Sequence, residues 1–485
     1  MSFRSRFLLC SLALSSLMLN SVGARAADPT AGMVERARVH LAALARNDDL
    51  SGVVLIARNG KPLYVQAYGY ANLADHLPNR VDTKFNMASM GKMFTAVAIM
   101  QLVEAGKISL QAKVGRYLPD FPNVAVRDQI TVEELLTHSS GMGNFWAQLD
   151  DKAKEKYVAV SDYVPLFKSE KLAFKPGEGF LYSNNGYTVL GLIIEKVSGQ
   201  AYFDYVREHI YKPSGMGNTD AYTLNEPVPN MAIGYSRDLA RPGHMISNLF
   251  VNTFKGGPAG GSYTTAEDLL RFSNALMQHK LLSAADTDLM TRGKVDYGAR
   301  RYGYGFSEET VNGHRLIGHG GGNTGIADEL QIYTDLGYTV VILTNGDVEN
   351  FWDIQNFIKR ELMGPSPQTQ SYDYTKRLVD MAATSGYEDA LKALHSDAAH
   401  PAVRGGVLEQ VGYKLLWQDK VAAAVAVFRL YSVAAPQDAY AWLGLGKADE
   451  RAGDKAGALA AYRRYLASEP DDEEIKARVA YLSGP

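Results

Sequence analysis

The sequence predicts an α+β domain followed by an all-α helical repeat domain. Three observations lead to this. Strand-like runs stand at both ends of residues 30–360, with helical periodicity between them. A polar stretch with two prolines near residue 365 breaks the pattern, and the chain beyond it is Ala-rich. A 34-residue repeat then runs through that Ala-rich part.

The first strands are Gly52–Arg58 and Lys61–Gly69, which flank Asn59-Gly60, the strongest short hairpin signal. Met93–Ala105, Val132–Leu136 and Tyr187–Val197 space their apolar residues as helices do. Strands return at Tyr302–Phe306, His314–Gly318, Leu330–Tyr333 and Tyr338–Thr344. A hairpin, a long helical insert and a meander, in that order, predict one antiparallel sheet. Its first and last strands come from opposite ends of the domain, and a helical lobe lies between them. This domain is expected over residues 27–363, a linker over 364–371, and the helical domain over 372–485. In the last of these, Leu408, Val411, Gly412, Ala424, Phe428, Tyr431 and Pro436 recur as Trp442, Leu445, Gly446, Ala458, Tyr462, Tyr465 and Pro470. Small residues let paired helices approach, aromatics fill the gap, and proline ends each unit. The pattern resembles the tetratricopeptide repeat. A degraded third copy begins near Tyr372, with Ala390 and Leu394 in phase.

The chain has 485 residues, 46% of them hydrophobic and 21% charged, an ordinary globular composition with room for two or three domains. A formal charge of −3 calls for neither nucleic acid nor an anionic membrane. Residues 1–26 read as a secretory signal peptide: Arg4 and Arg6, an apolar stretch from Phe7 to Leu19, then Ala24-Arg25-Ala26. The stretch is short for a membrane span, so the mature chain is expected to have none and to be exported, periplasmic or secreted. Cys10 follows Leu9 rather than a small residue, which argues against a lipoprotein. Cleavage would remove three arginines, taking the charge from −3 to −6, and also the single cysteine. Stability must then come from the core, without disulfides. No Cys/His cluster or His-Glu-x-x-His segment calls for a metal, and no cofactor is expected.

The chemistry centres on Ser89-Met90-Gly91-Lys92, directly before an apolar helix. A serine at a helix start has a free backbone N–H and lies in a field that favours developing negative charge. A lysine three residues on lies one turn along the same face, within reach of the hydroxyl. Buried, such an amine can lose its proton and act as a base. Alone, Ser-x-x-Lys is a weak signal, because Ser89 could simply cap the helix.

Order and context add to it. Phe85-Asn-Met-Ala-Ser-Met-Gly-Lys-Met-Phe-Thr95, Leu135-Leu-Thr-His-Ser-Ser-Gly141, Tyr182-x-Asn184, Pro258-Ala-Gly-Gly261 and Gly318-His319-Gly320-Gly321 follow one another along the chain. In these motifs, over residues 30–360, the sequence resembles the serine β-lactamase and penicillin-binding-protein-like hydrolases. The resemblance implies the β-lactamase/transpeptidase-like fold and assigns roles. Ser89 would attack the acyl carbon. Lys92 and Tyr182 would share general-base work, with Tyr182 later protonating the leaving group. Asn184 would orient the substrate amide and the lysine. His319 stands where the family has Lys or His, to support the tyrosine or bind a carboxylate. The backbone N–H groups of Ser89 and Gly322 would hold the oxyanion, and Gly320 and Gly321 would line the substrate. His138 tempts as a triad base, but its motif in the family is structural.

One departure matters. Gly320 replaces a Ser or Thr, so a hydroxyl that would hold a substrate carboxylate is missing. This weakens carboxylate binding and tilts the expectation from β-lactams towards an ester or amide. D-alanyl-D-alanine carboxypeptidase or D-amino-acid peptidase action, and weak β-lactamase action, are the enzymatic alternatives. A non-catalytic peptidoglycan- or partner-binding protein is the alternative of another kind. The intact Ser89, Lys92 and Tyr182 argue against it, since a binder has no need of them. The repeats are expected to take a protein partner or a second copy of the chain.

Overall fold

The computed structural model describes residues 29–46, 50–150, 152–347, 351–396 and 399–484. The signal peptide expected at residues 1–26 lies outside the described residues. Eight antiparallel strands form the main sheet: β1 Gly52–Arg58, β2 Lys61–Tyr68, β3 Val295–Tyr297, β4 Arg300–Tyr302, β5 Ser307–Val311, β6 His314–Asn323, β7 Ile326–Tyr333 and β8 Tyr338–Thr344. Their order across the sheet is β2-β1-β8-β7-β6-β5-β4-β3. The β1–β2 turn has positive φ at both Asn59 (49°) and Gly60 (75°), the twist that a two-residue hairpin requires. As expected, the two ends of the domain meet: β1 pairs with β8 from Gly52↔Thr344 to Arg58↔Tyr338.

Strand alternation sorts side chains to two cores. Val53, Leu55, Val341 and Leu343 pack with the helical lobe, including helices Gly91–Glu104 and Asn184–Ser198. Val54, Ile56, Val340 and Ile342 pack beneath helices Pro29–Arg46 and Phe351–Met363. Both faces of β8 are therefore covered, which is why its sequence is a continuous apolar run rather than an alternation.

Three expectations are corrected. The strand expected at Tyr302–Phe306 is the turn between β4 and β5, where Gly303 N–H donates to the Phe306 carbonyl at 2.7 Å. The strand expected at His314–Gly318 continues to Asn323, so the glycines at 320–322 lie inside a strand, and a further strand at 307–311 joins it. The stretch 364–371 is mostly helix. Ser366 caps helix Pro367–Thr384, its hydroxyl accepting from Thr369 N–H, and Pro367 takes the first turn. Ser-Pro here is a helix-start signal rather than a breaker.

Beyond it, helices 367–384 and 387–396, 405–417 and 421–434, 439–451 and 455–466 follow in pairs, closed by 473–483. The 34-residue phase has a steric cause. A Cβ at Gly412 would stand 2.5 Å from the Phe428 ring, and one at Gly446 would stand 2.5 Å from the Tyr462 ring. Ile475 and Leu482 of the last helix cover the end face.

Candidate active site

Ser89 lies in a one-turn 3-10 helix, Ala88–Met90, at the head of helix Gly91–Glu104. Its hydroxyl caps neither helix. Ala88 sits at φ 42°, a strained value for a residue with a side chain, and its N–H is held by Asn86 Oδ1 at 2.9 Å. The turn presents a half-buried Ser89, while Lys92, one turn on, is fully buried.

Lys92 Nζ lies 2.7 Å from Asn184 Oδ1, 2.6 Å from the Ala259 carbonyl and 3.2 Å from Ser89 Oγ. Burial drives its pKa well below the ordinary lysine value. A neutral amine has two N–H bonds and one lone pair. With the N–H bonds donated to Asn184 and Ala259, the lone pair faces Ser89 Oγ and can take its proton.

Tyr182 immediately precedes Ser183, whose side chain caps helix Asn184–Ser198 by accepting from Gly186 N–H at 2.9 Å. The cap fixes the chain direction and sets Tyr182 beside Ser89 on the wall of one cavity. The Tyr182 ring centroid is 4.7 Å from Lys92 Nζ. Desolvation pushes the phenol pKa far up, so Tyr182 stays protonated and can donate.

Strand β6 forms the opposite wall. A Cβ at Gly321 would lie 2.4 Å from the Met87 carbonyl, so glycine lets the strand backbone lie against the nucleophile turn. Gly322 lines the cleft beside Ser89. The buried His319 donates from Nδ1 to the Gly320 carbonyl at 2.5 Å and accepts at Nε2 from the Tyr302 hydroxyl at 2.8 Å. Burial, reinforced by Lys92, pushes its pKa down to about 3. His319 therefore braces Tyr302 rather than Tyr182, and it brings no charge to a carboxylate. Gly320 leaves room for a neighbour: a Cβ there would stand 2.6 Å from Glu329 Oε2.

His138 is structural, as expected. Its Nδ1 accepts from Ser183 N–H at 3.0 Å, and its ring lies tilted by 37° against that of Tyr182, with the centroids 4.2 Å apart.

The structure adds residues that carry no assigned role in the sequence analysis above. Ala259 supplies a carbonyl to Lys92, and a Cβ at Gly260 would stand 2.1 Å from the Ala88 carbonyl. The Pro258-Ala-Gly-Gly261 segment thus braces the nucleophile turn. Phe145, Trp146 and Tyr163 line one side of the cleft beside Ser89, and Arg300, Tyr302 and Glu329 line the other. Among the described residues no cluster of His, Cys, Asp and Glu could hold a metal ion.

The beta-lactamase family pattern matches residues 40–361. Penicillin-binding protein 4* of Bacillus subtilis is 31% identical over 378 residues, covering 72% of this chain and 80% of that protein. The crystal structure of a penicillin-binding protein from Bacillus halodurans superposes with a TM-score of 0.61 at 30% identity, over 66% of this chain and 98% of the other. A D-stereospecific amidohydrolase from Streptomyces sp. superposes at 0.55 with 26% identity, over 70% of this chain and 99% of the other. A fully buried lysine against a serine at a helix head, set in this sheet, accords with those matches, and the chain belongs to the beta-lactamase family of serine hydrolases.

Proposed function

We propose that the protein is an exported hydrolase that cleaves an ester or amide through a Ser89 acyl-enzyme. The observation that carries this is the buried Lys92 amine, whose acceptors at Asn184 and Ala259 leave a lone pair for Ser89. Ser89 Oγ bonds to the acyl carbon and its proton passes to Lys92. The bond to the leaving group breaks, and the Tyr182 phenol supplies the proton that the departing atom needs. Tyr182 is reprotonated by the proton Lys92 took, so acylation leaves no net charge behind. The steps then run in reverse with water in the leaving group's place: water gives up a proton as its oxygen bonds to the acyl carbon, the Ser89 ester bond breaks, and Ser89 Oγ recovers a proton from Lys92. The N–H groups of Ser89 and Gly322 stabilise the oxyanion in both halves.

D-alanyl-D-alanine carboxypeptidase or D-amino-acid peptidase action is the second reading, favoured by the likeness to the D-stereospecific amidohydrolase. Export is supported by the basic start, apolar stretch and small-x-small site of residues 1–26. No helix among the described residues is long and apolar enough to cross a membrane. The paired helices of residues 367–483 resemble a repeat scaffold suited to a protein partner or a second copy.

The test is turnover of short p-nitrophenyl esters. Ser89→Ala should lose at least ~10³-fold in kcat/KM, the scale of a covalent nucleophile. Intact-mass measurement of the wild type should show a transient acyl adduct. Turnover by the Ser89→Ala protein at the wild-type rate overturns the assignment.

A further inference from the structure

Asn144 lies outside the motifs that mark the cleft in the sequence, beyond the end of Leu135–Gly141. Its side-chain amide is used at both ends, and both times on backbone. Nδ2 donates to the Tyr182 carbonyl at 3.0 Å, and Oδ1 accepts from Asn184 N–H at 2.9 Å. A primary amide carries a donor and an acceptor side by side, as a peptide group does. Asn144 therefore meets the residues on either side of Ser183 as a paired strand would.

The backbone between them has the matching shape. Ser183 is extended, at φ −125° and ψ 114°. Residues two apart in an extended chain turn their side chains to one face. Here that face is the one towards the lysine: Asn184 Oδ1 lies 2.7 Å from Lys92 Nζ, and the Tyr182 ring centroid 4.7 Å from it. Ser183 turns the other way, where its hydroxyl donates to the Gly143 carbonyl at 2.9 Å. Further bonds lace the same two segments together. Glu170 Oε2 accepts from Gly143 N–H at 3.2 Å and from Asn185 Nδ2 at 2.8 Å. These bonds hold the loop to the head of helix Asn184–Ser198, whereas Asn144 grips the backbone on both sides of Ser183. The Tyr182 hydroxyl stands at the far end of its side chain, so a small rotation of this backbone moves it by a larger distance.

We propose that Asn144 is a positioning residue for proton transfer, holding Tyr182 and Asn184 on the Lys92 face of an extended Ser183. This rests on the acyl-enzyme reading, in which Tyr182 supplies the proton to the leaving group. The need for that proton varies with the substrate. A p-nitrophenolate departs without it, whereas an alkoxide does not. Loss of the clamp should therefore cost an alkyl ester more than a p-nitrophenyl ester of the same acid.

The experiment compares ethyl butyrate with p-nitrophenyl butyrate on the full chain, through kcat/KM, which reports acylation. Asn144 is exposed, so its variants should fold. Asn144→Ala should lose at least ~10-fold more on the ethyl ester than on the p-nitrophenyl ester, since a misplaced acid forfeits part of the ~10²–10⁴-fold that proton transfer contributes. Asn144→Asp keeps an acceptor for Asn184 but has no donor for Tyr182, so it should restore little of that loss. Equal losses on the two esters, or full restoration by Asn144→Asp, overturn the proposal. A second arm is independent of turnover: hydrogen exchange at the Asn184 backbone N–H. It should quicken by about tenfold or more in Asn144→Ala and slow again in Asn144→Asp. Unchanged exchange in Asn144→Ala overturns the proposal whatever the esters do. Faster exchange there, alongside wild-type turnover by Ser89→Ala protein, supports the clamp and rejects only the acyl-enzyme reading.

Discussion

Burial sets the protonation of the polar groups around Ser89. Lys92 is pushed towards the free amine, Tyr182 is held as the phenol, and His319 is held neutral. The rate should therefore rise from acid pH as Lys92 loses its proton, with no second step near 6.5 from His319. The same burial makes a stability prediction. His319 has a folded pKa of about 3 against an ordinary 6.5. Between those values the unfolded chain binds a proton that the folded chain does not. The contribution is therefore complete above pH ~6.5 and is lost as pH falls towards 3, by up to ~1.4 kcal/mol per pH unit. Asp328 and Glu170, whose carboxyl pKa values are raised by burial, act in the opposite sense. The clean measurement is thus a difference between proteins. Denaturant unfolding at pH 7 and pH 5 should show His319→Gln losing about 2 kcal/mol less than wild type. Parallel losses would mean that His319 titrates normally. Of these residues, Ser89 and Lys92 were legible because their spacing carries their geometry, and Tyr182 and Asn184 through the resemblance of the motif that holds them. Arg300, Glu329 and Ala259 were not, because their positions depend on which strands and loops become neighbours in space.

At the scale of elements, glycine concealed the structure. Gly320, Gly321 and Gly322 read as the end of a strand, since glycine adds no side-chain packing and lowers strand propensity. They lie within β6 because the backbone there must approach the nucleophile turn. The requirement is local to one position. Ala at 321 would place its Cβ 2.4 Å from the Met87 carbonyl, a backbone atom that cannot swing aside. Ala at 322 would find its nearest neighbour at 3.9 Å and keeps its N–H. Gly321→Ala should therefore lower kcat by at least ~10-fold, since sub-ångström displacement of oxyanion donors is costly. Gly322→Ala should stay within a few fold of wild type. Ester kinetics on both folded variants check this, and the reverse order would show that β6 is not what positions the cleft. The hairpin at Asn59-Gly60 and the apolar run of β8 were legible from local chemistry alone. The start of helix Pro367–Thr384 was misread because Ser-Pro serves both loops and helix caps.

Across the whole molecule, the helical region is tied to the hydrolase domain through a few specific contacts. Trp417 Nε1 donates to the His244 carbonyl at 2.7 Å, Gly243 N–H donates to the Trp417 carbonyl at 3.0 Å, and Arg237 lies 5.1 Å over the Trp417 ring. Trp352 packs against both the core behind the sheet and the core of the helical region. The repeat was legible from its period, whereas its seat was not, because docking depends on surfaces that have no sequence signature. A few repeats also leave end faces to cover. The last helix covers one, Trp352 packs against the core of the helical region from the hydrolase side, and Trp417 ties the middle helix pair to the hydrolase domain. Truncation after Gly364 should therefore lower the melting temperature, because it uncovers Trp352 and removes Trp417. In the full chain, Trp417→Ala removes one indole hydrogen bond and one cation–π contact, a loss of about 1–2 kcal/mol. Both proteins should keep Ser89-dependent hydrolysis of a neutral ester, because every group assigned to bond making lies before residue 364. Calorimetric melting and ester kinetics on the two proteins decide it. Melting unchanged in both would make the helical region an independent tether, and loss of ester hydrolysis in a folded truncation would place part of the chemistry among the helices.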